Sequence, residues 1–100
     1  LTLGDIEIFP EQRRVMKVGV EICLNYGEFS ILYCMARRPG HVFSREQLYN
    51  AAWGEDYELG TNTVDNTIWR LRNKLEPNPK HPTYIKTVFR VGYKIEIAHG

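Results

Sequence analysis

Cysteine is scarce in this chain, and the two that occur, Cys23 and Cys34, are 11 residues apart with no CxxC and no nearby histidine pair. Such thiols read as small buried hydrophobes rather than as a disulfide or metal framework. The three histidines, His41, His81 and His99, are scattered without ligand spacing, so no metal or other cofactor is expected. Serine is limited to Ser30 and Ser44, with no nucleophile–base pair at a recognisable spacing and no glycine-rich phosphate loop, which argues against an enzyme. No apolar run approaches the roughly 20 residues that span a bilayer, and LTLGDIEIFP has no cationic-then-apolar signal pattern. Net charge is nearly absent too, at +1.

What is present fits one domain over residues 1–100, with 43% apolar and 25% charged residues, enough to bury one core. The charge is unevenly spread. Residues 1–61 hold 6 Lys and Arg against 9 Asp and Glu, a balance of −3. Residues 62–100 hold 7 against 3, a balance of +4. The basic excess therefore lies in the second half.

Alternation over Leu1–Phe9, Arg13–Lys17 and residues 20–24, punctuated by Pro10 and by Val18-Gly19, predicts an antiparallel meander. Three capping-box patterns follow. Asn25 with Glu28 opens a helix to about Arg38, stopped by Pro39-Gly40; Ser44 with Gln47 opens one to about Trp53, stopped by Gly54. Asn62 with Asp65 opens the third, to about Glu76. Then YIKTV and YKIEI, joined by FRVG, read as a hairpin. The fold class is α+β: strands, three helices, hairpin, the order of a winged helix-turn-helix.

The third helix carries the functional signal. Val64, Ile68, Leu71 and Leu75 form one apolar stripe, while Arg70, Arg72 and Lys74 lie on the other faces. With Val64 at zero and about 100° per residue, the stripe centres near 10° and Trp69 falls near 140°, outside the core. An α-helix fits the DNA major groove, and cations on its flanks meet phosphates. The hairpin brings Lys86, Arg90 and Lys94. The bland alternative is a solvated face, with Arg72 paired to Asp65. The alternative of another class is a protein-interaction module anchored on Trp69.

The blocks GEFSILYCMARRPGHVFSREQL, AAWG, NTVDNTIWRLRNKLE and YIKTV…VGYKI, in this order and spacing, resemble the DNA-binding effector domain of OmpR/PhoB-type response regulators. The resemblance covers nearly the whole chain. It implies a sequence-specific double-stranded DNA-binding domain of a cytoplasmic bacterial two-component regulator acting in phosphorelay signalling. An N-terminal receiver domain, absent from this chain, and a sensor kinase would act upstream. The recognition helix would be residues 63–75 and the wing residues 84–97. DNA-facing positions carried over are Asn66, Thr67, Trp69, Arg70, Arg72 and Lys74 on the helix, Arg45 and Trp53 at the two ends of the second helix, and Thr87, Phe89 and Arg90 in the wing. Glu55, Asp56, Tyr57 and Glu58 would touch RNA polymerase, and a second copy would sit on tandem half-sites. The family's wing reads Thr-Val-Arg-Gly-x-Gly-Tyr; here Thr87-Val88-Phe89-Arg90-Val91-Gly92-Tyr93 shifts the arginine by one and puts it where glycine stands. A positive φ is then expected at Arg90, or a changed turn.

Overall fold

Gly4, at a φ of +56°, breaks the alternation of the first nine residues, which therefore form two short strands instead of one run. In the computed structural model, which describes residues 1–54, 60 and 62–96, β1 (Thr2–Leu3) pairs antiparallel with β2 (Ile6–Phe9), Leu3 opposite Ile6. β3 (Arg14–Lys17) and β4 (Val20–Ile22) extend the sheet in the order β1-β2-β3-β4. The β3–β4 link is two residues, Val18 and Gly19, at φ +49° and +76°. That is the two-residue hairpin geometry with both central residues left-handed, a conformation a β-branched side chain resists.

Helix α1 (Tyr26–Ala36) starts from the expected box: the Asn25 side chain accepts from the Glu28 N–H at 2.8 Å, and Glu28 accepts from the Asn25 N–H at 3.0 Å. It ends at Ala36, short of Arg38, because Pro39 disfavours helical backbone in the residue before it. Helix α2 (Arg45–Trp53) has the same reciprocal box between Ser44 and Gln47, and Gly54 ends it at a φ of +82°. Helix α3 (Asn62–Leu75) departs from expectation at its start. Asn62 is the first helical residue rather than the cap, and an oxygen of Asp65 is engaged by Arg45 and Tyr93.

A strand with no alternation to reveal it, β5 (Phe43–Ser44), leads into α2. With β6 (Ile85–Val88) and β7 (Gly92–Ile95) it forms a second antiparallel sheet, ordered β5-β7-β6. Ser44 lies opposite Gly92, and a Cβ on Gly92 would fall 1.9 Å from the Phe43 carbonyl oxygen. Only glycine lets the β5 backbone approach that closely.

Helix α1 packs on both α2 and α3. One core joins Leu3, Ile6, Ile8 and Val15 of the first sheet to Phe29, Leu32 and Met35 of α1 and to Ile85 and Ile95 of the hairpin. Cys34 is partly buried, and that burial pushes its thiol pKa up, with Arg37 pulling the other way. Cys23 is exposed, contrary to its expected burial. Among the described residues no group of His, Cys, Asp and Glu is arranged to hold a metal ion, and no helix is long and apolar enough to cross a membrane.

Candidate nucleic-acid interface

Helix α3 divides cleanly by face. Val64, Ile68, Leu71 and Leu75 are all buried, as the stripe predicts. On the opposite side Asn62, Asn66, Trp69, Arg70 and Asn73 are exposed at spacings of three, four and seven, the pattern of one helical face. Trp69 is 66% exposed, a large apolar area for a helix surface. Asn73 donates to the Trp69 carbonyl at 2.8 Å. Among the described residues Arg70 has no side-chain partner.

Three of the carried-over positions are not on that face. Thr67 is buried at 3% exposure, and its hydroxyl donates to the Thr63 carbonyl one turn back at 2.7 Å. Arg72 does not pair with Asp65. Its guanidinium reaches the wing, donating to the Ile85 carbonyl at 3.0 Å and to the Thr87 hydroxyl at 2.7 Å. Lys74 donates to the buried Glu28 carboxylate at 2.6 Å and to the Cys23 carbonyl at 3.0 Å. Arg72 and Lys74 hold α3 in place; sequence spacing could not separate them from Arg70, because their partners lie 13 to 51 residues away.

Two further tethers fix the C-terminal end of the helix. Lys17 donates to the Leu75 carbonyl at 2.6 Å, a cation at the negative end of the helix dipole. Glu76, buried at 6% exposure, accepts from the backbone N–H groups of Thr83, Tyr84 and Ile85 at 2.8 to 3.1 Å. Its carboxylate thereby joins the end of α3 to the start of β6. No sequence signal marks it beyond a carboxylate directly after the helix.

Arg45, at the start of α2, binds Asp65 through Nε at 2.7 Å, and the Tyr93 hydroxyl donates to the same carboxylate oxygen. The Arg45 and Arg72 guanidinium carbons lie 5.7 and 5.6 Å from the Tyr93 ring centroid. Burial pushes the Asp65 carboxyl up, but hydrogen bonds from Tyr93 and Arg45, with the arginine charge, outweigh it and leave it below its ordinary value. The hydrogen bond to Asp65 and its charge raise the Arg45 pKa further, so the guanidinium stays charged. Burial and the neighbouring Asp65 likewise raise the Tyr93 hydroxyl. This cluster clamps α2, α3 and β7 together while Arg45 remains 42% exposed through its side chain.

The wing turn runs Val88 to Val91, with the Val91 N–H donating to the Val88 carbonyl at 2.9 Å. Arg90 sits at a φ of +64°, so it adopts the left-handed conformation that glycine normally supplies. Its guanidinium carbon is 5.2 Å from the Phe89 ring centroid, and Phe89 is 81% exposed. Thr87 is exposed but engaged by Arg72. Trp53 is partly buried against Tyr49, ring centroids 5.4 Å apart, and a Cβ on Gly27 would meet it at 2.4 Å. Its indole is therefore wedged against α1. Glu55, Asp56, Tyr57 and Glu58 lie outside the described residues.

The geometry offers an exposed helix face with amide, indole and guanidinium groups, flanked by a side-chain-tethered hairpin. Residues 19–95 match the protein family described as "Transcriptional regulatory protein, C terminal". The chain belongs to that family. Among solved structures it is similar to the Klebsiella pneumoniae RstA DNA-binding domain in complex with RstA box, at 33% identity and a TM-score of 0.87, over 98% of this chain and 97% of that one. It is also similar to the Thermotoga maritima response regulator DrrB, an OmpR/PhoB homolog, at 34% identity and a TM-score of 0.88. That match covers 96% of this chain and 43% of DrrB. A third is the AdeR DNA-binding domain in complex with an intercistronic region, at 26% identity and a TM-score of 0.82, over 98% and 100%. As an OmpR/PhoB-type effector domain the chain has the winged-helix fold, α3 standing as the third helix and β6–β7 as the wing.

Proposed function

We propose that this domain binds double-stranded promoter DNA sequence-specifically, with α3 in the major groove and the β6–β7 wing on the flanking backbone or minor groove. The observation that carries the reading is the exposed stripe of Asn66, Trp69 and Arg70 on a helix whose other cations are engaged within the fold. The DNA complexes of the RstA and AdeR domains support it and weigh against a module that binds only protein.

The chemistry follows from the side chains. An Asn amide can pair bidentately with adenine, and an Arg with guanine or with phosphate. The Trp69 ring offers apolar contact to a thymine methyl or a sugar, and its N–H donates to an acceptor nearby. Arg45 and Arg90 meet phosphates or the minor groove, with Phe89 beside Arg90. Thr67, Arg72 and Lys74 act by holding the helix, and Trp53 by packing.

The domain works by binding rather than by catalysis, in the cytoplasm, as the effector part of a two-component regulator. The match to under half of DrrB leaves room for an N-terminal receiver domain, which a sensor kinase would phosphorylate. A second copy on a tandem half-site and RNA polymerase, met through Glu55, Asp56, Tyr57 and Glu58, complete the partners. Selection of bound sites from a random duplex pool at two salt concentrations tests the reading. One enriched motif, or a direct repeat of it, is expected; an unenriched pool at both salts overturns it.

A further inference from the structure

A cleft of about 530 Å³ opens along the outer face of α1, and none of its lining residues belongs to α3 or the wing. Three of them, Arg13, Arg37 and Arg38, are arginines, and none of the described lining residues is a carboxylate. This occurs in the part of the chain where acidic residues outnumber basic ones 9 to 6 over residues 1–61. Tyr26, Tyr33 and Phe43 supply the apolar walls.

Arg13 is held there at evident cost. Its backbone is left-handed, at a φ of +50°. Its guanidinium carbon lies 4.6 Å from the Tyr26 ring centroid and 4.5 Å from that of Phe29. The group donates to the Tyr26 carbonyl at 3.2 Å and to the Ser30 hydroxyl at 2.9 Å. All of these acceptors are neutral. The Arg13 end of the cleft is beside the first turns of α1, where the helix dipole places positive partial charge, and Arg37 and Arg38 stand just past the last residue of that helix. Arg37 lies 5.5 Å from the Tyr33 ring centroid, and Arg38 has no side-chain partner among the described residues. Three guanidiniums thus line one concavity with no counter-ion among the described residues, which makes an anion welcome there.

We infer that this cleft docks an acidic protein segment that also carries an apolar or aromatic side chain. Guanidinium forks match carboxylates bidentately, and ring walls take an apolar neighbour. A duplex is the poorer fit, because its phosphates lie on a convex rod whereas this site is concave and partly apolar. The inference is independent of the DNA-binding face.

The test is titration of the folded chain with a labelled synthetic octapeptide of alternating glutamate and leucine, with amide shifts recorded by NMR. Saturable binding is expected, with shifts at Ser30, Cys34 and Arg38 and none along α3. Arg38→Gln should weaken binding about tenfold, the scale of one charge-assisted hydrogen bond. Arg13→Gln should do the same; since Arg13 also packs on α1, the exposed Arg38 decides if that variant fails to fold. A lysine–leucine octapeptide should not bind, and operator affinity should be unchanged in Arg38→Gln. Equal peptide affinity in wild type and Arg38→Gln overturns the inference. So do shifts confined to α3, or displacement of the peptide by equimolar inorganic phosphate.

Discussion

Arg70 and Lys74 stand one helical turn apart and have opposite fates, one unpartnered and outward, the other bound to a buried carboxylate. Their substitutions should therefore separate affinity from stability. Arg70→Ala is expected to weaken operator binding by roughly 1–3 kcal/mol, and Trp69→Ala to weaken specific binding as well, both with little change in melting temperature. Calorimetry beside an operator titration checks this; unchanged affinity in both would remove them from the interface. Lys74→Ala leaves Glu28, at 1% exposure, with the Asn25 N–H as its one carboxylate partner among the described residues. It should cost roughly 1–3 kcal/mol of stability by denaturant unfolding and leave the operator affinity of the folded fraction unaltered. A Lys74→Ala domain of normal stability and weakened DNA binding would reverse the assignment. The exposed indole was readable from helical angle alone. The hidden roles of Thr67, Arg72 and Lys74 were not, since spacing reports which face a residue starts from and not how far a long or polar side chain reaches.

The elements that were legible are those whose signals are local. Caps at Asn25 and Ser44, with stops at Pro39 and Gly54, gave α1 and α2 because the atoms that satisfy each other are three or four residues apart. β5 and the Glu76 staple escaped notice because each exists only through a partner distant in sequence: Phe43 pairs with Tyr93, and Glu76 with the backbone of Thr83 to Ile85. The displaced wing glycine did forecast the left-handed Arg90. That conformation carries its own prediction: Arg90→Gly should stabilise the domain by about 1 kcal/mol, a few degrees in melting temperature for this size. It should also lower the salt slope of DNA binding by about one unit. A melting temperature that falls would show the turn to be unstrained. The Asp65 clamp adds a pH dependence. Its folded pKa lies below the unfolded value, so its contribution is fully present above the unfolded pKa and fades as pH falls through the folded one. The melting-temperature gap between wild type and Asp65→Asn should be constant at neutral pH and close below about pH 4. A gap that persists in acid would show that Asp65 acts through its shape and hydrogen bonding rather than through its charge.

Across the whole molecule, charge is sparse and placed. With a net charge of +1, long-range steering toward DNA is weak, and the cations proposed to face it are Arg45, Arg70 and Arg90. The slope of log affinity against log salt for one copy should then be about −3, shallow for a DNA-binding domain. A titration series at four ionic strengths measures it; a slope twice as steep would mean that Lys80, Lys86 or Lys94 also reaches the backbone. The two faces proposed to work are distributed over one small core, α3 with the wing on one and the arginine cleft of α1 on another. Helix α3 is fastened by Lys17, Arg72, Lys74, Glu76 and its buried stripe, none of which belongs to the outward set of Asn66, Trp69 and Arg70. Anchoring and reading are thus written in separate letters of the same helix. A lineage of such regulators can drift to a new operator by rewriting three or four letters while every fastening stays in place, and a transplanted outward set should carry its sequence preference into this scaffold.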